Sequence, residues 1–365
     1  MAITKEDILK ALSYVEEPDL GKDLVTLNMV KDIAINGNEL SFTVVLTTPA
    51  CPLKELIRRD CENAVKTLGE NILVRVNFTS DTTSKRTDPK TVLPRVKNII
   101  AVVSGKGGVG KSSVASNLAI ALSKGNAKVG LMDADIYGPS VPIMFGVRGQ
   151  RPMMVEVEGK GMIVPLEKHG IKIMSIGLLV DEKNAVVWRG PMASSAIRQF
   201  VTDVYWDELD YLVIDMPPGT GDIHLTLMQL VPVTGVIVVT TPQDVALADA
   251  KKGIAMFGQA QLNVPLIGLV ENMSYFTPAE LPGNKYYIFG KDGGKRLAEE
   301  YEIPFLGQIP IVQSIREGGD SGIPVMMSDD EVTKNAFLQF AGDTVRSISM
   351  LNAQMKPAEV EQVLD

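Results

Sequence analysis

The chain has 365 residues and a formal net charge of −8. It is long enough for two or three domains with substantial cores and too acidic for a dedicated nucleic-acid surface. Its two cysteines cannot build a disulfide framework or a four-cysteine zinc site within one chain. No apolar run approaches the length of a membrane span. The opening residues, MAITKEDILK, carry acids and lysines where a signal peptide needs an apolar core. A soluble cytoplasmic protein that binds neither nucleic acid nor membrane is the expectation.

Thr4 and Asp7 make a capping-box pattern ahead of Ile8, Leu9, Leu12 and Val15, which predicts a short first helix. Strands are expected at Leu24 to Ile35 and Glu39 to Thr47, on either side of the hairpin signal Asn36-Gly37. A helical pattern then runs from Pro52 to about Leu68, ahead of a strand at Ile72 to Phe78. Together they predict a small α+β domain over residues 1–79. Residues 80–96, SDTTSKRTDPKTVLPRV, are polar, hold two prolines and show no period, so they read as a linker.

From residue 97 to 350, short apolar strands alternate with helices: Ile99 to Val103, Val129 to Met132, Ile171 to Ile176, Tyr211 to Ile214, Val236 to Thr240 and Leu266 to Val270. Near-continuous apolar strands imply an α/β, doubly wound, mainly parallel sheet covered on both faces, with ligands at the strand C-termini. The closing residues 351–365 form a polar, acidic tail without the basic amphipathic face of a membrane anchor.

The stretch Asn98 to Asn117, NIIAVVSGKGGVGKSSVASN, takes an apolar strand into a glycine loop and then into a helix. Gly105, Gly110, Lys111 and Ser112 satisfy the P-loop spacing. Glycines let successive N–H groups face an anion, and the following helix aims its positive end at the same place. The candidate nucleotide-binding residues are therefore Gly105, Lys106, Gly107, Gly108, Val109, Gly110, Lys111, Ser112 and Ser113. Lys111 is expected to reach the β and γ phosphates of ATP, and the Ser112 hydroxyl to ligate Mg²⁺. Lys106, a second lysine inside the loop, is either a surface residue or a phosphate contact for its own or a neighbouring subunit's site.

Two acidic clusters end strands of the same sheet, Asp133 and Asp135 after the second strand and Asp215 to Asp222 after the fourth. A buried carboxylate at a strand end needs a cation beside it. Asp215 is expected to hold Mg²⁺ through water, and Asp135 to orient the attacking water. Asp133 is either a solvated or capping acid or a functional one.

These motifs carry a resemblance. GKGGVGKSS with Lys106, DADIYGPS at 133–140, WRGPM at 188–192, DMPPGTGD at 215–222 and ENMSYF at 271–276 resemble the Mrp/ApbC family of iron–sulfur cluster carrier ATPases. LGKDLVTLNMV at 20–30 and PACPL at 49–53 resemble the small MIP-type domain fused to many members. The wider class is the deviant Walker A group that includes MinD, ParA and the nitrogenase iron protein. The resemblance implies an ATP-sandwich homodimer in which Lys106 reaches the partner's phosphates and Asn272 hydrogen-bonds the adenine. It also implies Mg-dependent ATP hydrolysis in the service of delivering clusters to apo-proteins. The alternative within the class is an ATP-gated dimeric switch that acts on a protein partner without carrying a cluster.

The usual family member places a CxxC pair after ENMSYF. Here Thr277-Pro278-Ala279-Glu280 stand instead, with no soft ligand among them. Cys61 falls on the apolar stripe of Leu53, Leu56, Ile57, Ala64, Val65 and Leu68 and reads as core. Cys51, just before Pro52 at the predicted N-cap, is either a reactive thiolate or cluster ligand, or a small buried cap residue. Two Cys51 residues in a dimer give two of a cluster's four ligands, so exogenous thiols or a client's cysteines would complete it. His224, near the 215–222 loop, is a partner contact or an ordinary surface or helix residue, and His169 beside Gly170 reads as a turn.

Overall fold

The computed structural model describes residues 3–69, 71–82, 92–180, 190–259, 262, 264–278, 280, 281 and 283–354. Most of the expected linker (83–91), the first two residues of WRGPM, Ala279 and residues 355–365 of the tail lie outside the described residues. The rest falls into two compact units, one within Met1–Lys85 and Ser349–Asp365, the other within Arg86–Ile348.

The smaller unit opens with α1 (Lys5–Leu12), whose capping box is formed in full: the Asp7 N–H donates to Thr4 Oγ1 at 3.2 Å, and the Thr4 N–H to Asp7 Oδ2 at 2.9 Å. Two short strands, β1 (Glu16–Glu17) and β2 (Lys22–Asp23), pair antiparallel. β3 (Val30–Asn36) and β4 (Glu39–Leu46) form the hairpin that Asn36-Gly37 predicts. After α2 (Lys54–Lys66), β5 (Leu73–Ser80) joins β4 in parallel. Ile8, Leu12, Phe42, Ile57, Cys61 and Val65 pack into the core of this unit.

The expected strand from Leu24 is shorter than its apolar run suggests. Asp23 Oδ1 accepts hydrogen bonds from the Val25 and Thr26 N–H groups at 3.0 and 2.8 Å, and this side-chain turn competes with extended backbone. Asn28 takes a left-handed φ of +56°, and pairing resumes only at Val30.

In the larger unit the chain runs through β6 (Val96–Val103), α3 (Lys111–Lys124), β7 (Val129–Asp133), α4 (Val141–Met144), the hairpin β8 (Met153–Val157) and β9 (Lys160–Val164), β10 (Leu166–Lys168) and β11 (Ile171–Ser175). Then come α5 (Gly190–Thr202), β12 (Leu209–Asp215), α6 (Asp222–Leu230), β13 (Gly235–Thr240), α7 (Asp244–Phe257), β14 (Leu266–Glu271), α8 (Gly293–Glu300), β15 (Phe305–Gln308), α9 (Gln313–Ser321) and α10 (Glu331–Gln354), whose residues from Ser349 onward count with the smaller unit. Eight strands make one sheet in the order β10-β11-β7-β12-β6-β13-β14-β15, and only β10 with β11 is antiparallel. Every residue of β7, β12 and β13 is buried, as apolar runs covered by helices on both faces must be. Sequence patterning misses β10, β15 and the β8–β9 hairpin, because three to five residues at an edge or outside the sheet carry too little period to register.

The first crossover, β6 to β7, leaves a gap that β12 later fills, and the chain then continues outward on the other side of β6. The loops after β6, β7 and β12 thus meet at a switch point beyond the strand C-termini, where ligands bind in open α/β sheets. Among the described residues no helix is long and apolar enough to cross a membrane. Replacing Thr4 by Ala removes the α1 cap, which is expected to lower the stability of the smaller unit by about 1 kcal/mol. Denaturant midpoints of the full chain and the variant, read on the transition of that unit, check it.

Candidate nucleotide site

The glycine loop runs from the end of β6 into α3. Gly110 is the N-cap of α3 at φ +82°, and a Cβ there would collide with the Asn272 side-chain amide. A Cβ at Gly105 would strike the backbone of Asp249. The close fit of the loop to its neighbours therefore demands glycine at both places. No side chain caps α3, so its first N–H groups are free to meet an anion, with the helix dipole behind them.

Lys111, only 6% exposed, sits among acids. Its ammonium donates to Asp215 Oδ1 at 2.5 Å and to Ser112 Oγ at 3.2 Å, and lies 3.9 Å from Asp135 Oδ2. Sheet register explains the crowding: Asp215 pairs with Asp133 across β12 and β7, and Asp133 with Ser175 across β7 and β11. Both aspartates are fully buried. Burial, joined by the charge of Asp215, pushes the Asp133 carboxyl up to about 8. Burial also raises Asp215, while the Lys111 ammonium pulls it back.

Asp133 is not the solvated acid that the sequence leaves open. It accepts from Ser175 Oγ at 2.9 Å, from the Asp135 N–H at 3.1 Å and from the Val141 N–H at 3.2 Å. The bond from Val141, the first residue of α4, is of the capping kind, although the N-cap position itself is Ser140. These bonds fix residues 133–141, and the Gly138 N–H adds a bond of 3.2 Å to Asp135 Oδ1. Ser175, the end of β11, was missed in the sequence; its position at a strand C-terminus beside two others is the available signal.

A cavity of about 620 Å³ opens beside the loop. Gly107, Gly108, Lys111, Ser112 and Asp135 line it, as do Asn272, Met273, Pro310, Ile311 and Val312. Asn272 Nδ2 donates to the Val109 carbonyl at 2.8 Å and so joins the two groups of residues. Lys106 is half-buried, and among the described residues its ammonium makes no ion pair. For a divalent cation the donor set is hard: Ser112 Oγ is at hand, and Asp215 Oδ2 is buried without a hydrogen-bond partner. Oxygen donors of this kind fit Mg²⁺.

Both thiols belong to the smaller unit. α2 starts at Lys54 with Leu53 as its N-cap, so Cys51 is not the capping residue that the sequence predicts but lies two residues before it, and it is half-buried. The displacement arises because residues 52 and 53 form a turn before the helix begins. Cys61 is core, and burial, with Asp60 and Glu62 beside it, pushes its thiol up to about 12. Residues 86–348 contain no cysteine. Among the described residues no group of three or more His, Cys, Asp or Glu could hold a metal ion. His224 is a helix residue of α6 but not a surface one: it is 1% exposed, and burial lowers its imidazole pKa against the carbonyls of Pro217 and Gly221. His169 is a turn residue at φ +51°.

The raised Asp133 carboxyl has a pH signature. The folded chain keeps a proton that the unfolded chain releases near the usual 3.8, so this stabilisation is complete below that value and is lost as pH rises through about 8. Asp133→Asn cannot ionise and is expected to flatten this part of the stability profile, although its amide fits the three donors less well. Urea midpoints across that window compare the two, and an unchanged slope would refute the assignment.

Comparison with known proteins agrees with this architecture. Residues 95–345 match the family model described as NUBPL iron-transfer P-loop NTPase, and residues 5–78 match the one described as iron-sulfur cluster assembly protein. The iron-sulfur cluster carrier protein of Synechocystis sp. is 48% identical over 350 residues, which span 95% of this chain and 99% of that relative. The protein of the same description from Deinococcus radiodurans is 44% identical over 354 residues, 95% of this chain and 98% of the relative. A solved nucleotide-binding protein from Archaeoglobus fulgidus, in complex with ADP, is 38% identical with a TM-score of 0.56, covering 66% of this chain and 92% of its own. With its glycine loop, its carboxylates at adjacent strand ends and this likeness along nearly its whole length, the chain belongs to the NUBPL iron-transfer family of P-loop NTPases.

Proposed function

We propose that this chain binds ATP with Mg²⁺ in the cavity beside the glycine loop, hydrolyses it, and uses the cycle to deliver iron–sulfur clusters to apo-proteins. The observation that carries the nucleotide half is the Lys111 ammonium, seated beside Asp215 and Asp135 where the loop opens into the cavity. In this reading the loop N–H groups and the start of α3 hold the phosphates, and Lys111 supplies the neutralising charge. Ser112 and Asp215 would hold Mg²⁺, which when bound offsets charge on the β and γ oxygens. An Asp135 oxygen accepts a hydrogen bond from the water that attacks the γ-phosphorus; the bond to the ADP oxygen breaks, and the water's proton leaves with the phosphate. Asn272 reads the adenine.

Two copies work together, with Lys106 serving the partner's phosphates. A basic group supplied in this way is worth roughly 10³ to 10⁵ in rate. Lys106→Ala and Asp135→Ala should each be nearly inactive alone. Mixed, they form heterodimers that hold one intact site, and about a quarter of wild-type turnover is expected to return for a symmetric dimer. No recovery on mixing would place Lys106 in its own subunit's site.

The cargo half rests on the cluster-carrier relatives and on the small unit's match to the assembly domain. The cluster is cargo, and the chain's own thiols do not complete a cage for it. Cys51 is the half-buried thiol and Cys61 is fully buried, so two copies offer two of four ligands, and client cysteines or free thiols supply the rest. A second reading, an ATP-gated switch acting on a protein partner without a cluster, is favoured by the absence of any cysteine from residues 86–348. Anaerobic reconstitution with iron, sulfide and thiol separates the two. Bound iron with a visible cluster spectrum that Cys51→Ser abolishes supports the carrier, whereas no iron on either protein supports the switch.

A further inference from the structure

Glu271 ends β14 and is fully buried, yet among the described residues it makes no ion pair. Hydrogen-bond donors satisfy it instead. Its Oε1 accepts from Ser274 Oγ at 2.5 Å and from Gln308 Nε2 at 2.9 Å, and its Oε2 accepts from the Gly294 N–H at 2.6 Å. Gly294 is the second residue of α8, so the carboxylate also sits at that helix's positive end. Gln308 Nε2 is shared with Asp292 Oδ1 at 3.0 Å. A buried carboxylate without a cation is costly to keep, and its partners show what it fixes.

The residues on either side of this node line the cavity. The Ile309 N–H donates to the Glu271 carbonyl at 2.9 Å, the Ser274 N–H to the Ile309 carbonyl at 3.0 Å and the Ile311 N–H to the Tyr275 carbonyl at 2.8 Å. Segments 271–275 and 308–311 are thereby stitched together, with Met273 held at φ +53° between them. Asn272 is tied twice more: its N–H donates to the Thr240 carbonyl at 2.8 Å, and its Nδ2 to the Val109 carbonyl at 2.8 Å. Only the NH₂ side of an amide can face a carbonyl oxygen. One N–H of the amide is therefore held by the glycine loop, which fixes the amide's orientation and sets the order in which its oxygen and its second N–H are offered to a ligand. A fixed order of acceptor and donor distinguishes adenine, whose N6 amine donates beside the accepting N1, from guanine, whose O6 accepts beside the donating N1–H.

We propose that Glu271 is a positioning residue for base selectivity: by locking segment 271–275 to Gln308 and α8, it fixes which face of the Asn272 amide a nucleotide base meets. The inference rests on the nucleotide reading of the cavity. Glu271→Gln keeps the shape but sets an NH₂ against at least one of three donors, which frees the segment without removing Asn272.

The test is equilibrium titration of the full chain with ATP and GTP labelled at the ribose, together with turnover of unlabelled ATP. For Glu271→Gln, ATP affinity should fall about tenfold and GTP affinity less than about twofold, with KM for ATP rising in step and kcat falling no more than about threefold. Equal losses for both nucleotides, or unchanged selectivity with a lower melting temperature, would overturn the inference and leave Glu271 a purely structural group. Should Glu271→Gln fail to fold, Ser274→Ala and Gln308→Ala each remove one donor and should narrow selectivity in the same sense. Unaltered selectivity in both would equally overturn it. Failure of the wild-type chain to bind either nucleotide would instead overturn the nucleotide reading on which it stands.

Discussion

Two buried carboxylates on adjacent parallel strands, with one ammonium beside them, set the terms for the larger unit. β7 and β12 are in register at Asp133 and Asp215, so both acids arrive at the same level, closed off from bulk solvent. Lys111, the first residue of α3, is the one cation bonded to Asp215 among the described residues, and removal of one partner from such a buried group typically costs about 3–5 kcal/mol. The start of α3, the ends of β7 and β12 and the 133–141 loop are thus tied to one electrostatic requirement. Asp133 meets it differently from Asp215: three donors from Ser175, Asp135 and Val141 surround it, and the loop carrying Asp135 is ordered as a result.

A second tie joins the glycine loop to the far strands of the sheet. Asn272 follows β14, yet its amide reaches the Val109 carbonyl in the loop after β6. The glycine loop and the segment that follows β14 are therefore not independently adjustable. Glu271, one residue earlier, extends the tie to α8 and β15 through Gly294 and Gln308. Nucleotide chemistry and thiol chemistry are by contrast separated along the chain, because both cysteines precede residue 86 while the glycine loop and its acids follow it.

Much of this was legible in the residues, for local reasons. The capping box at Thr4 and Asp7 spans four residues, the Asn36-Gly37 hairpin two, and the glycine loop lies between its own strand and helix, so each carries its conformation in its immediate neighbours. The buried parallel strands announced themselves as apolar runs, although several of their ends were placed one to three residues short and that of β11 one residue too far. Failures came where a neighbour distant in sequence, or a competing local bond, decided the outcome. Asp23 turned residues 24–28 away from the sheet. The start of α2 moved past Cys51, and His224 was drawn inside with α6.

By itself the sequence determined the fold class, the buried central strands of the larger unit, the glycine loop and the shortage of thiols, because these depend on residue type and short-range spacing. Only the tertiary structure decided that Asp133 would be enclosed by Ser175, 42 residues away, and that Glu271 would be shared among Ser274, Gly294 and Gln308. It likewise decided that one N–H of the Asn272 amide would be held by a carbonyl 163 residues earlier. Those partners are chosen by strand order and register, which bring distant residues within hydrogen-bond reach, and no short-range pattern encodes how a buried polar group will be oriented by them.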